Sequence, residues 1–165
     1  MFRKFYPGEY AASAYEVNYE SLWEQGIRGI IFDIDNTLVH HGAPADARAV
    51  SLVRRLKQTG FSVCLISNNS RERVQPFAEA VGAEFLEDAG KPSKRGYLHA
   101  VKLLGCPISQ VIFIGDQVFT DIYGANRAGL RSVLVGPLDP REEIQIVLKR
   151  RLERIVLYFY KKKLK

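Results

Sequence analysis

Cysteine is nearly absent, with Cys64 inside an apolar run and Cys106 beside Pro107 as the only two. Neither sits at metal-ligand or redox spacing, which excludes a disulfide framework, a zinc knuckle and a dithiol active site. The pair reads as reduced thiols of a cytosolic protein. Long hydrophobic runs are missing too. No stretch approaches the roughly 18 apolar residues a membrane-spanning helix needs. Glu9, Glu16 and Glu20 fall where a signal peptide would carry its apolar segment, so a cytoplasmic location is expected. There is no internal repeat and no low-complexity linker. Excess charge is absent from the body as well: residues 1–140 hold 15 Lys/Arg against 15 Asp/Glu. The net charge of +6 lies wholly in residues 141–165, where nine Lys/Arg face three Glu. Nucleic acid is therefore not expected as a partner of the body, and no aromatic-and-basic RNA platform exists outside the tail.

What is present is an alternation. At 165 residues the chain can bury one proper core. Apolar, β-branched runs at 29–34, 61–67, 111–114 and 132–135, with a weaker one at 84–86, read as strands. Helical patterns fill 45–59, 71–81, 93–104 and 120–128, and Gly60, Gly82, Gly105 and Gly129 each follow one of them as C-caps. The expected fold is α/β, a doubly wound parallel sheet flanked by helices. One domain is expected: a lead-in over 1–28, a catalytic core over 29–136 and a basic amphipathic helix over 141–165.

In such sheets chemistry gathers at the carboxyl ends of strands. Those ends carry Asp33 and Asp35, then Ser67 and Asn68, then Asp116 with Asp121 five residues on. Any one aspartate would pass as a helix cap. Four at the ends of two apolar strands would repel one another unless a cation were present, and an oxygen-only donor set suits Mg²⁺. Lys91, before Pro92 and a helix, is placed to neutralise a phosphoryl oxygen.

These residues resemble the haloacid dehalogenase superfamily of phosphotransferases. The resemblance runs through Ile31-Phe32-Asp33-Ile34-Asp35-Asn36-Thr37-Leu38, then Ser67, then Lys91, then Gly115-Asp116-Gln117-Val118-Phe119-Thr120-Asp121. The stretches 7–15, 33–39 and 115–136 are similar to subclass IIIA and its YqeG family. The resemblance implies a phosphatase in which Asp33 is the nucleophile and Asp35 the general acid and base. It implies that Ser67, Asn68 and Lys91 bind phosphate. It further implies that Asp33, Asp116 and the backbone carbonyl of Asp35 hold Mg²⁺, and that Asp121 orients a metal-bound water or Asp116 itself. Asn36 and Thr37 shape the loop. Chloroplast and yeast mitochondrial relatives are phosphatidylglycerophosphate phosphatases, which implies a lipid phosphate substrate.

Spacing adds to this. Asp33 and Ser67 are 34 residues apart and Ser67 and Lys91 24 apart, which leaves no room for a cap domain. An open mouth suits a phosphate on a surface or a macromolecule. In the tail, Ile144, Leu148, Leu152, Ile155, Val156 and Phe159 recur at helical spacing beside Lys149, Arg150, Arg154 and Lys161, Lys162 and Lys163. That stripe fits either packing on the sheet or peripheral contact with an anionic membrane at its inner face. His40 and His41 read as exposed loop residues. The competing expectations are a phosphatase for a nucleotide, sugar phosphate or phosphoprotein, and a nucleic-acid or ribosome-binding protein that uses the tail.

Overall fold

Buried on both faces, a parallel strand must be apolar throughout, and the two central strands are. The computed structural model describes residues 3–138 and 144–163. Strand β1 (Glu9–Ala11) is followed by α1 (Tyr19–Glu24), β2 (Gly29–Phe32), α2 (Ala47–Thr59), β3 (Ser62–Ile66) and α3 (Arg71–Val81). Then come β4 (Glu84–Leu86), α4 (Lys94–Leu104), β5 (Val111–Gly115), α5 (Tyr123–Ala128), β6 (Arg131–Val135) and α6 (Ile144–Lys163). The six strands are all parallel in the order β1-β6-β5-β2-β3-β4. No cap is inserted: only α2 separates β2 from β3, and only α3 and β4 lie between β3 and Lys91.

Alternation along β2 builds two cores. Ile30 and Phe32 join the cluster under α2 and α3 with Leu52, Leu56 and Phe77, while Ile31 joins Tyr97, Ala100 and Phe113 under α4. The chain leaves β2 for β3 and β4 on one side and returns to β5 on the other, so the order reverses beside β2. Register does the rest. Phe32 lies level with Leu65 and with Ile114, so the residues that follow all three emerge together.

The sequence pattern overlooked β1, a short half-exposed edge strand that pairs with β6. It also ran β2 too far. The strand stops at Phe32 because residues 33–39 form a tight loop, with Asn36 at φ 62° and its N–H donating to the Val39 carbonyl at 2.7 Å. The helix expected over 120–128 is a π-helical turn over Val118–Ile122 followed by α5. The helix expected over 45–59 starts at Ala47, because the Asp46 side chain caps it by accepting from Ala49 N–H at 2.7 Å.

The expected tail helix exists over Ile144–Lys163, and the expected positions 141–143, 164 and 165 lie outside the described residues. Its apolar stripe is split. Val156 packs with Val118, Ile122 and Leu134, whereas Leu152, Ile155, Tyr158 and Phe159 are exposed. Among the described residues, no helix is long and apolar enough to cross a membrane.

Candidate active site

Asp33 follows the last residue of β2, and its N–H still donates to the Ile114 carbonyl at 3.0 Å, which pins it to the sheet's carboxyl edge. Asp116 follows β5 and Asp121 sits in the π-turn beyond it. All three carboxylates are buried, and their oxygens lie within 4.8 Å of one another. The buried Lys91 ammonium enters this cluster, donating to Asp33 Oδ1 at 2.5 Å and to Asp121 Oδ1 at 2.7 Å. Asp121 spends its other oxygen on the Gln117 N–H at 3.1 Å. The Thr37 hydroxyl sits between Asp33 Oδ2 at 3.2 Å and Asp116 Oδ1 at 3.4 Å.

Charge decides what this cluster can hold. Burial raises the Asp33 carboxyl above the usual carboxylate range; Lys91 draws it down, and Asp121 pushes it back up. Burial alone would lower the Lys91 ammonium, but Asp121 and Asp33 outweigh it and hold it above its ordinary value. Three carboxylates against one ammonium leave two formal negative charges in a buried, oxygen-only donor set. That arrangement fits a divalent hard cation such as Mg²⁺.

Of the other expected residues, Ser67 is buried at the end of β3, and its Oγ accepts from the Asn69 N–H at 3.1 Å. Asn68, expected to bind phosphate, also braces Lys91. It donates to the Lys91 carbonyl at 3.0 Å and accepts from the Lys91 N–H at 2.7 Å, so it sets the lysine's backbone. Asp35, the fourth expected carboxylate, stands outside the cluster of three, and its side chain is held by groups that sequence reasoning missed. Gly42 N–H donates to its Oδ1 at 2.7 Å, Arg73 Nη2 to the same oxygen at 2.9 Å, and Asn69 Nδ2 to Oδ2 at 2.8 Å. His40 and His41 are exposed. Glu153 of α6 is buried and accepts from the Val118 N–H at 2.9 Å, so the tail helix sits against the turn that follows Asp116.

One glycine permits the cluster. A Cβ on Gly115 would lie 2.5 Å from Asp121 Oδ2 and 2.7 Å from Phe113 Cε1. Gly115→Ala must therefore displace the Asp121 carboxylate, which holds the Gln117 N–H through Oδ2 and Lys91 through Oδ1. The expected result is a loss of about 1–3 kcal/mol in stability by thermal melting and roughly 100-fold in turnover. An unchanged turnover would show that the Asp121–Lys91 contact is dispensable.

A family model for haloacid dehalogenase-like hydrolases matches residues 42–129. The probable phosphatase YqeG of Bacillus subtilis is 34% identical over 165 residues, which is 99% of this chain and 96% of that protein. Phosphatidylglycerophosphate phosphatase 1, chloroplastic/mitochondrial, of Arabidopsis thaliana is 30% identical over 152 residues, 86% of this chain and 44% of that one. The chain thus spans less than half the length of the Arabidopsis relative. Among solved structures, an uncharacterized protein of Listeria monocytogenes serotype 4b superposes with a TM-score of 0.55 at 20% identity, covering 71% of this chain and 85% of that one. NagD of E. coli K-12 superposes with a TM-score of 0.56 at 13% identity, covering 73% and 91%.

Proposed function

The chain belongs to the haloacid dehalogenase-like hydrolases, in the YqeG group, and is a phosphatase acting on a phosphorylated substrate; from that premise we propose that it is a Mg²⁺-dependent phosphomonoester hydrolase that works through an aspartyl-phosphate on Asp33 and acts on a lipid phosphate of the phosphatidylglycerophosphate type. The observation that carries the chemistry is a buried Asp33 carboxylate paired with Lys91 beside Asp116 at the end of the central strand. The whole chain acts in this reading as one catalytic unit.

Asp33 attacks phosphorus as the bond to the leaving oxygen breaks, and Asp35 delivers a proton to that oxygen. A water then gives its proton to Asp35 and attacks the same phosphorus, breaking the bond to Asp33 and releasing phosphate. Two N–H groups of the Lys91 ammonium are spent on Asp33 and Asp121, which leaves one for a phosphoryl oxygen. The Ser67 hydroxyl takes another. Asp33 and Asp116, with the Asp35 carbonyl, would hold Mg²⁺, which supplies neutralising charge to the carboxylates and the phosphoryl group. Asp121 acts through Lys91 and the Gln117 backbone.

The lipid substrate is supported by the capless mouth, by the plant relative and by α6. Its exposed Leu152, Ile155, Tyr158 and Phe159 alternate with exposed Arg151, Arg154, Lys161 and Lys162, a surface suited to an anionic bilayer. Each basic residue at such a surface contributes about 1 kcal/mol. The test is hydrolysis of a panel: phosphatidylglycerophosphate in anionic vesicles, a nucleotide, a sugar phosphate, a phosphopeptide and p-nitrophenyl phosphate. Exhaustive chelation should abolish turnover and Mg²⁺ should restore it, with kcat/KM highest on the lipid. Full activity after chelation would sink the metal requirement, and a tenfold preference for a water-soluble ester would sink the lipid assignment.

A further inference from the structure

Asp35 is a partly buried loop carboxylate held by three donors. Its Oδ1 accepts from the Gly42 N–H and from Arg73, and its Oδ2 accepts from Asn69. Two of these donors, Asn69 and Arg73, come from the segment after β3, the strand that neighbours β2. The contact between Arg73 and Asp35 joins residues 38 apart in sequence.

Arg73 is oddly placed for a structural residue. It shares with Arg71 the first turn of α3, where the unpaired N–H groups give the helix its positive end and a cation is disfavoured. Arg71 reaches out to Glu87 with 61% of its side chain exposed, whereas Arg73 is turned inward. Its Nε is buried with no hydrogen-bond partner, a costly state for a polar group. Both costs are accepted while Nη2 stays on Asp35 at 2.9 Å, with the arginine side chain only 20% exposed and the aspartate 12%. Asn69 closes the arrangement. While its amide holds Asp35 Oδ2, its backbone N–H donates to Ser67 Oγ. One loop therefore fixes the hydroxyl on the phosphoryl side and the carboxylate on the leaving-group side.

We propose that Arg73, with Asn69 as a second arm, is the positioning residue that aims Asp35 at the leaving oxygen. The inference rests on the reading of Asp35 as the proton-transfer group. A carboxylate on a loop has several rotamers, and a proton donor is effective only within hydrogen-bond reach of its target. The three donors select one rotamer and couple it to Ser67. The guanidinium reaches Asp35 through Nη2 alone, and its rigid plane fixes the direction of that one bond where a lysine ammonium would be free to turn.

The test compares kcat/KM for p-nitrophenyl phosphate, phenyl phosphate and an alkyl phosphate, substrates whose need for leaving-group protonation rises in that order. Arg73→Met is expected to lose roughly 100-fold more on the alkyl ester than on p-nitrophenyl phosphate, in parallel with Asp35→Asn. Arg73→Lys should fall between the parent and Arg73→Met. The double variant Asp35→Asn/Arg73→Met should be within about threefold of Asp35→Asn alone, because Arg73 acts through Asp35. Equal losses across the three esters, or losses that multiply in the double variant, would overturn the proposal and leave Arg73 a scaffold residue. If Arg73→Met fails to fold, Arg73→Lys carries the same comparison. A flat response of Asp35→Asn itself overturns the acid assignment and this inference with it, whereas a steep Asp35→Asn beside a flat Arg73→Met overturns this inference alone.

Discussion

Asp33→Asn is expected to melt at or slightly above the parent at neutral pH while losing roughly 10⁴-fold or more in kcat, the scale on which removing a covalent nucleophile acts. The two halves of that expectation have one cause. Burial disfavours the Asp33 carboxylate by more than Lys91 favours it, so the folded protein holds an anion it would be more stable without. The amide keeps the shape and removes the charge, and Lys91 retains its bond to Asp121 at 2.7 Å. Stability rises where function is removed, as at other strained catalytic positions. A rapid acid quench of the parent with radiolabelled phosphoryl substrate should leave a hydroxylamine-sensitive label on the protein, and the variant should carry none. Appreciable turnover by a folded Asp33→Asn protein would refute the covalent route, and a large drop in its melting temperature would refute the electrostatic account.

The carboxylates were legible in the sequence because parallel strands buried on both faces must be apolar, which makes the polar residue at each strand's end conspicuous. Asp33 after Ile30-Ile31-Phe32 and Asp116 after Ile112-Phe113-Ile114-Gly115 stand out for that reason. Lys91 could be found because it precedes a helix in the expected order. What escaped has physical reasons too. Strand β1 has no apolar run of its own; Glu9 and Tyr10 are exposed, and its place comes from pairing with β6. In the π-turn the Ile122 N–H reaches the Gln117 carbonyl at 3.2 Å while the Asp121 side chain accepts from the Gln117 N–H, a local arrangement that helical periodicity does not register. Arg73 does not stand out in the sequence because its partner Asp35 lies 38 residues away, outside any local window. The first turn of α3 carries two basic residues against the local rule, Arg71 and Arg73, and tertiary contacts separate them: Arg71 meets Glu87 and Arg73 meets Asp35. The bonds from the Asn68 side chain to the backbone of Lys91 join residues 23 apart, which no local pattern shows. The stripe along α6 was expected to choose between the sheet and a membrane, and the helix divides it, with Val156 turned inward and Ile155 outward.

Lys91→Met should be the most damaging single change to both stability and chemistry, and its stability cost should depend on pH. The ammonium is the cation among Asp33, Asp116 and Asp121, and removing it leaves a buried pair broken on two sides. Breaking such a pair costs about 3–5 kcal/mol, or on the order of 10 °C in melting temperature for a chain of this size. Turnover should fall by at least about 10³-fold, since a preorganised charge facing the transferring group is lost. The sign of the pH dependence follows from Asp33. Its folded carboxyl is already raised by burial, and losing Lys91 removes the chief influence drawing it down, so it rises further. The folded variant then binds protons more tightly than the unfolded chain does. Stability is full below the unfolded carboxylate range and drains away as pH climbs through the raised folded value. The gap in melting temperature between Lys91→Met and the parent should accordingly be small near pH 4 and widen towards pH 8, measured in chelator so that no cation substitutes for the ammonium. Mg²⁺ added at pH 8 should then recover part of the gap if Asp33 and Asp116 bind it, because a ligand that binds only the folded state stabilises it. A gap that stays constant with pH would show that Lys91 contributes by packing alone, and one that narrows as pH rises would reverse the electrostatic reading of the whole cluster.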